Sequence, residues 1–167
     1  GERALPLEQL WTGPGETAAD PRELLVRVDV PAPAPATGSA YVRLEYRRQM
    51  EIAVVGVTAV VRLDAGSVSD ARVAITALAP TIRRVSEAEA ALIGSDGGDE
   101  AIAEAARAAA SGSSPITDVR SSAEYRSAMA NVIARRAIVV ALARARGEHV
   151  PIPASAATYA SVGGTST

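Results

Sequence analysis

The chain has 167 residues, one domain's length, with 48% of them apolar and 3% aromatic; without Phe, the core must be built from Ala, Val, Leu and Ile. A formal net charge of −2 argues against a phosphate-binding surface, because nucleic-acid affinity rests on clustered positive charge, so nucleic acid is not an expected partner. The absence of Lys and Cys excludes a Schiff-base lysine, a thiol nucleophile, a disulfide framework and a Cys-ligated iron–sulfur cluster, and the lone His149 cannot make a metal site by itself.

The first 36 residues read as a join and linker. They contain the turn-rich run WTGPGETAADPRE, then Leu24 to Val30 with the alternation of a short strand, then most of the stiff, extended spacer PAPAPATG, which runs on to Gly38. From Ala40 the chain turns β-rich. Tyr41, Arg43, Glu45 and Arg47 alternate with Val42, Leu44 and Tyr46, which predicts a strand with one solvated and one apolar face. Ile52 to Leu63 follows, with Val55, Val57, Ala59 and Val61 on the face that needs cover. The turn residues Asp64-Ala65-Gly66-Ser67 then predict an antiparallel hairpin with Val68 to Leu78, and Pro80 ends the run.

Helical signals take over after Pro80. Ser86-Glu87-Ala88-Glu89 has the spacing of a capping box and predicts a short helix ending at Gly94. Asp99 is placed to cap an alanine-rich helix over 101–110, which Ser111-Gly112-Ser113-Ser114-Pro115 breaks. Ser121-Ser122-Ala123-Glu124 repeats the capping pattern and opens the longest helix, Ser122 to Arg146. Tyr125, Met129, Val132, Ile133, Val140 and Leu142 are its expected buried positions. Residues 148–167 are Pro, Ala, Ser, Gly and Thr with little periodicity, and are read as a flexible tail. No stretch has membrane-spanning length, and GERALPLEQLW lacks the basic-then-apolar order of a signal peptide, so the expected compartment is the cytoplasm.

The residues carry little visible chemistry. Gly13-Pro14-Gly15 lacks the following Lys and Ser/Thr of a phosphate loop and reads as a plain turn. Asp118 and Arg120 before the long helix read as an ion pair or cap, and Arg135 and Arg136 as a solvated face. Arg47, Arg48 and Glu51 lie between two strands, where a rigid scaffold positions charged groups. No catalytic residues and no metal cluster are discernible. The expectation is an α+β domain: a small antiparallel sheet of three to four strands packed against three helices.

Three segments in order, AYVRLEYRRQMEIAVVGVTAVVRL, VSDARVAITALAPTIRRVSEAEAALIG and PITDVRSSAEYRSAMANVIARRA, resemble the C-terminal domain of the FAD-binding medium subunit of molybdenum hydroxylases. This is the carbon monoxide dehydrogenase and xanthine dehydrogenase superfamily. The resemblance implies the same sheet-and-three-helices domain over residues 37–147, joined through residues 1–36 to an upstream flavin domain that has no counterpart in this sequence. It implies FAD in the complete subunit only, with none bound by this chain alone. It also implies as partners an FAD-binding N-terminal domain or chain, a molybdenum-cofactor large subunit and a [2Fe–2S] small subunit. In such enzymes substrate is hydroxylated at molybdenum and electrons pass through iron–sulfur clusters to FAD and then to an acceptor. This chain would flank the flavin without being catalytic alone. By position, Tyr41 and Arg43 match flavin-proximal residues, and Arg47, Arg48 and Glu51 lie in the acceptor-side segment. The alternative is an assembly or docking module that never touches flavin.

Overall fold

A computed structural model describes residues 1–47 and 50–154. Three antiparallel strands follow one another, β3 (Thr37–Leu44), β4 (Val55–Asp64) and β5 (Ser67–Thr76), after a small hairpin of β1 (Trp11–Gly13) and β2 (Glu16–Thr17). A two-residue edge strand, β6 (Arg83–Arg84), completes a four-stranded sheet in the order β3-β4-β5-β6. Then come α1 (Ser86–Leu92), α2 (Asp99–Ser111) and α3 (Ala123–Ala145). The α+β expectation is met.

The β4–β5 turn shows why these residues fold here. Ala65 and Gly66 sit alone between the paired Asp64 and Ser67, both with positive φ (46° and 86°), as the tight hairpin turn matching strand twist requires. One residue back, a bulge between Arg62 and Leu63 shifts the register.

Cross-strand register sorts the side chains onto two faces. Ala40, Ala59 and Val73 stand in one row and Val42, Val57 and Ile75 in the next, all buried. Against this face α3 covers β3 and β4, α1 covers β5, and α2 lies across α1 and α3. The helices bring alanine to the contact: Ala105, Ala106 and Ala109 from α2, and Ala130, Ala134, Ala137 and Ala141 from α3. Small side chains let the layers close to backbone contact. At Gly38 a Cβ would lie 2.0 Å from the Ala141 carbonyl oxygen and 2.3 Å from the Ala145 nitrogen, so only glycine fits where β3 meets α3.

Several sequence expectations are corrected. Leu24 to Val30 pairs with no strand, and Leu24, Leu25, Val26, Val28 and Val30 are all exposed. Alternation creates a strand's faces but cannot supply its partner. The Ser86–Glu89 capping box does not form: the N-cap is Val85, without a side-chain bond, and Glu89 is buried elsewhere. Its carboxylate accepts the Val73 N–H (3.0 Å) and pairs with Arg84, filling the ladder position just beyond β6. Asp99 is inside α2, with Gly98 as the cap, and pairs with Arg135 instead. Ser122 does cap α3, accepting the Tyr125 N–H at 3.1 Å, but the Tyr125 side chain is exposed. Residues 155–167 of the expected tail lie outside the described residues. Before them, Arg144 donates to the Ser39, Val150 and Pro151 carbonyls, tying the chain beyond α3 back to β3.

The backbone contact at Gly38 predicts that Gly38→Ala destabilises by about 3 kcal/mol or more, since two backbones, not a side chain, must move apart. Ser39→Ala, one residue on and exposed, should stay within about 0.5 kcal/mol of the parent. Equal denaturant midpoints for the two variants would contradict the contact.

Candidate functional site

The sheet face turned away from the helices carries the polar half of each strand. On β3 it presents Ser39, Tyr41 and Arg43, two apart and therefore aligned, and the row continues to Glu45 just past the strand's end. Tyr41 faces Thr58 and Arg43 faces Gly56 on β4. The Tyr41 side chain runs diagonally along the sheet to cover Gly56, where an added Cβ would lie 2.8 Å from its hydroxyl oxygen and 3.1 Å from its Cε2. Tyr41 is 44% exposed, so it rests on β4 while part of it stays open to solvent. Burial pushes the phenol above its ordinary pKa, with Arg43 pulling the other way and Glu45 adding a smaller push.

Arg43 is not a free cation. Its guanidinium makes an ion pair with Glu45, whose side chain is the more buried of the two. That pairing anchors the cation on the face but partly neutralises it. A guanidinium has five N–H donors in all.

Arg47 and Glu51, expected on the acceptor side, fall between β3 and β4. Arg47 donates to Glu51 (3.1 Å) and to the Met50 carbonyl (3.1 Å), and the second Glu51 oxygen accepts the Ile52 N–H. These bonds tie Arg47 to Glu51 and to Met50, which has positive φ and is almost fully exposed. Arg48 lies outside the described residues. The loop is pinned by Tyr46, whose hydroxyl donates to the Arg120 carbonyl.

Beside this loop sits what the sequence reading missed. Arg126, in the first turn of α3, is 4% exposed and spans three segments: its Nη1 donates to the carbonyls of Val54 (2.7 Å) and Ala77 (3.3 Å), and its Nη2 to Asp118 (2.7 Å). Asp118 accepts in turn from the backbone N–H groups of Arg120 and Ser121, which with the Arg126 bond holds its carboxyl down at about 2. The expected ion pair of Asp118 with Arg120 is present (3.3 Å) but secondary. Arg126 forms part of the wall of a cleft of about 320 Å³, together with Ile52, Ala53, Ala77, Pro115 and Ile116. The missed signal was spacing: Arg126 stands on the same helical face as the buried Ala130, Ile133 and Ala137. No group of three or more His, Cys, Asp or Glu side chains suited to a metal occurs among the described residues.

Residues 40–141 match the family described as the CO dehydrogenase flavoprotein C-terminal domain, more than half of the chain. The chain belongs to this family. It is 35% identical over 144 residues to the carbon monoxide dehydrogenase medium chain of Hydrogenophaga pseudoflava, covering 86% of this chain and 50% of that one. It is 36% identical over 147 residues to the 6-hydroxypseudooxynicotine dehydrogenase complex subunit alpha of Paenarthrobacter nicotinovorans, covering 87% and 49%. Among solved structures, the carbon monoxide dehydrogenase of Hydrogenophaga pseudoflava that lacks the Mo-pyranopterin moiety of the molybdenum cofactor superposes with a TM-score of 0.82 at 38% identity, over 85% of this chain and 49% of that one. Quinoline 2-oxidoreductase from Pseudomonas putida 86 does so with a TM-score of 0.75 at 27% identity, over 84% and 47%. The chain thus spans about half the length of these relatives. Both the Tyr41–Arg43 row and the Val54 and Ala77 carbonyls that Arg126 holds fall within the matched residues 40–141.

The Arg126–Asp118 clasp has a pH signature. Asp118 has a depressed carboxyl pKa in the folded state, so the stability it lends is complete above the unfolded value of about 4 and is lost as pH falls toward about 2. Asp118→Asn should therefore flatten the acid limb of the stability–pH curve between those values. Glu23, held at about 2 by Arg3, leaves a residual slope in both proteins. Parallel acid limbs for parent and variant would contradict the assignment.

Proposed function

We propose that this chain is the C-terminal part of an FAD-binding oxidoreductase subunit in a molybdenum hydroxylase. There it flanks the flavin and supports electron transfer from iron–sulfur clusters to an acceptor. The carrying observation is the pair Tyr41 and Arg43, aligned on the uncovered face of the sheet within the segment that matches the CO dehydrogenase flavoprotein C-terminal domain. A relative in Escherichia coli strain K12, 29% identical over 149 residues, is called a putative xanthine dehydrogenase FAD-binding subunit, which supports FAD as the group involved.

The residues present fit one part of that group. A partly open aromatic ring beside an anchored guanidinium suits a planar, electron-accepting ring, the first by contact and the second by charge. They do not suit its diphosphate. Each of α1, α2 and α3 begins with a carboxylate, Glu87 on α1, Asp99 and Glu100 on α2 and Glu124 on α3, and these oppose an anion at the helix N-termini. The phosphate cradle therefore belongs to the other half of the subunit. Bound FAD would supply a carrier that takes up electrons and passes them to an external acceptor. The chain's own part is to hold Tyr41 against β4, to keep a cation at that face through Glu45, and to border the acceptor's approach with the Arg47–Glu51 turn.

Residues 37–147 would be the domain that does this, residues 1–36 its join to the FAD-binding half, and residues 148–167 a flexible tail. The exposed aliphatic run Leu24–Val30 supports the join, because so much apolar surface in one segment marks a place that another body covers. The further partners are a molybdenum-cofactor large subunit and a [2Fe–2S] small subunit, in line with a relative named as a complex subunit and another named as a medium chain.

Two outcomes test the reading. The chain alone, dialysed after mixing with FAD, should retain no stoichiometric flavin; a yellow protein would overturn the division of labour. In the complete subunit, Arg43→Ala should lower the flavin midpoint potential by on the order of 30 mV for the two-electron couple, equivalent to about 1.4 kcal/mol. Acceptor turnover should slow while substrate reduction of the molybdenum centre is retained. An unchanged potential and acceptor rate would favour the assembly-module reading.

A further inference from the structure

The open face raises a question of how Tyr41 stays put. A tyrosine on a solvated strand face ordinarily samples several rotamers, and a mobile ring cannot present a fixed surface to a planar partner. Here the ring has a seat. Gly56, on the neighbouring strand, is buried although it lies on the outward face, and what covers it is the far end of the Tyr41 ring. The second wall is Thr76 on β5, which pairs with Gly56 across the ladder and whose Cγ2 would lie 2.5 Å from a Cβ at position 56. Gly56 has no positive φ, so the backbone does not demand glycine. Space does: a Cβ would collide with Tyr41 and Thr76 together. A strand glycine packs nothing of its own and weakens the strand, so its presence in the middle of the sheet is accounted for by what occupies its missing side chain's place.

We propose that Gly56 and Thr76 are positioning residues that seat the Tyr41 ring on the sheet, leaving its exposed part in a fixed orientation for the flavin. This rests on the reading of Tyr41 as flavin-proximal. The seat itself does not, because it is built entirely from contacts within β3, β4 and β5. Arg43 stands opposite Gly56 on β3 and is tied to Glu45.

The test separates the two claims. In the chain as it stands, the Gly56 α-protons should resonate upfield from the ring current of Tyr41, and Tyr41→Leu should abolish that shift. A normal Gly56 shift in the parent would overturn the seat. In the FAD-loaded complete subunit, Tyr41→Ala and Gly56→Ala should change the visible circular dichroism of the flavin in the same direction, and the double variant should change it no further than Tyr41→Ala does. Thr76→Ser, which removes one wall but adds no bulk, should produce a smaller change of the same sign and guards against misfolding of Gly56→Ala. If Tyr41→Ala alters the flavin signal but Gly56→Ala and Thr76→Ser do not, the positioning role is wrong and the proximity of Tyr41 stands. If Tyr41→Ala leaves the signal untouched, the proximity reading and the positioning role toward flavin both fall, and the proton shift alone then decides whether the seat exists.

Discussion

The close approach of α3 to the sheet is the constraint on which the rest of the structure depends. A sheet made of Val, Ile and Ala with no Phe cannot fill a wide gap to its helices, so the gap has to be narrow. Gly38 removes the last obstacle on the strand side, and the alanine stripe of α3 removes it on the helix side. With the interior closed by small groups, the larger side chains of β3 are free to face outward. Tyr41 and Arg43 stand on the outer face because Ala40 and Val42 are enough for the inner one.

A thin core also places weight on polar fasteners at its margins. Arg126 joins the end of α3 to the segments before β4 and after β5 through carbonyls that these irregular stretches would otherwise leave unpaired. At the other end of the helix Arg144 joins the Ser39 carbonyl of β3 to the Val150 carbonyl beyond α3. Arginine suits both places, since its planar fork reaches several carbonyls at once where lysine would offer a single charged point. The sheet that carries the candidate site on its outer face is thus backed by one helix clamped at both ends, and has little freedom to slide.

How much of this could be read from the residues depends on whether a feature is local. The strands of the central hairpin and their inward faces were legible, because period-two alternation and the Ala65-Gly66 turn specify both faces and register. The shared face of Tyr41 and Arg43 followed from the same rule. Leu24–Val30 shows its limit, since identical alternation without a partner edge yields no strand. Glu89 and Asp99 failed as caps for another reason: an amide at the β5 edge and an arginine on α3 competed for the same carboxylates and won. The burial of Arg126, the pairing of Arg43 with Glu45 and the covering of Gly56 all depend on neighbours brought together by folding, so no window of sequence contained them.

The place Glu89 takes has a consequence for how this molecule meets others of its kind. At the β6 margin the edge strand is only two residues long, and the next amide along β5 is already bonded to a carboxylate that is itself locked to Arg84. A foreign strand approaching that margin finds its first docking rung taken and an ion pair in the way, instead of a row of idle amides. One carboxylate therefore serves as an endstop at this margin alone, while the opposite margin is the eight-residue β3.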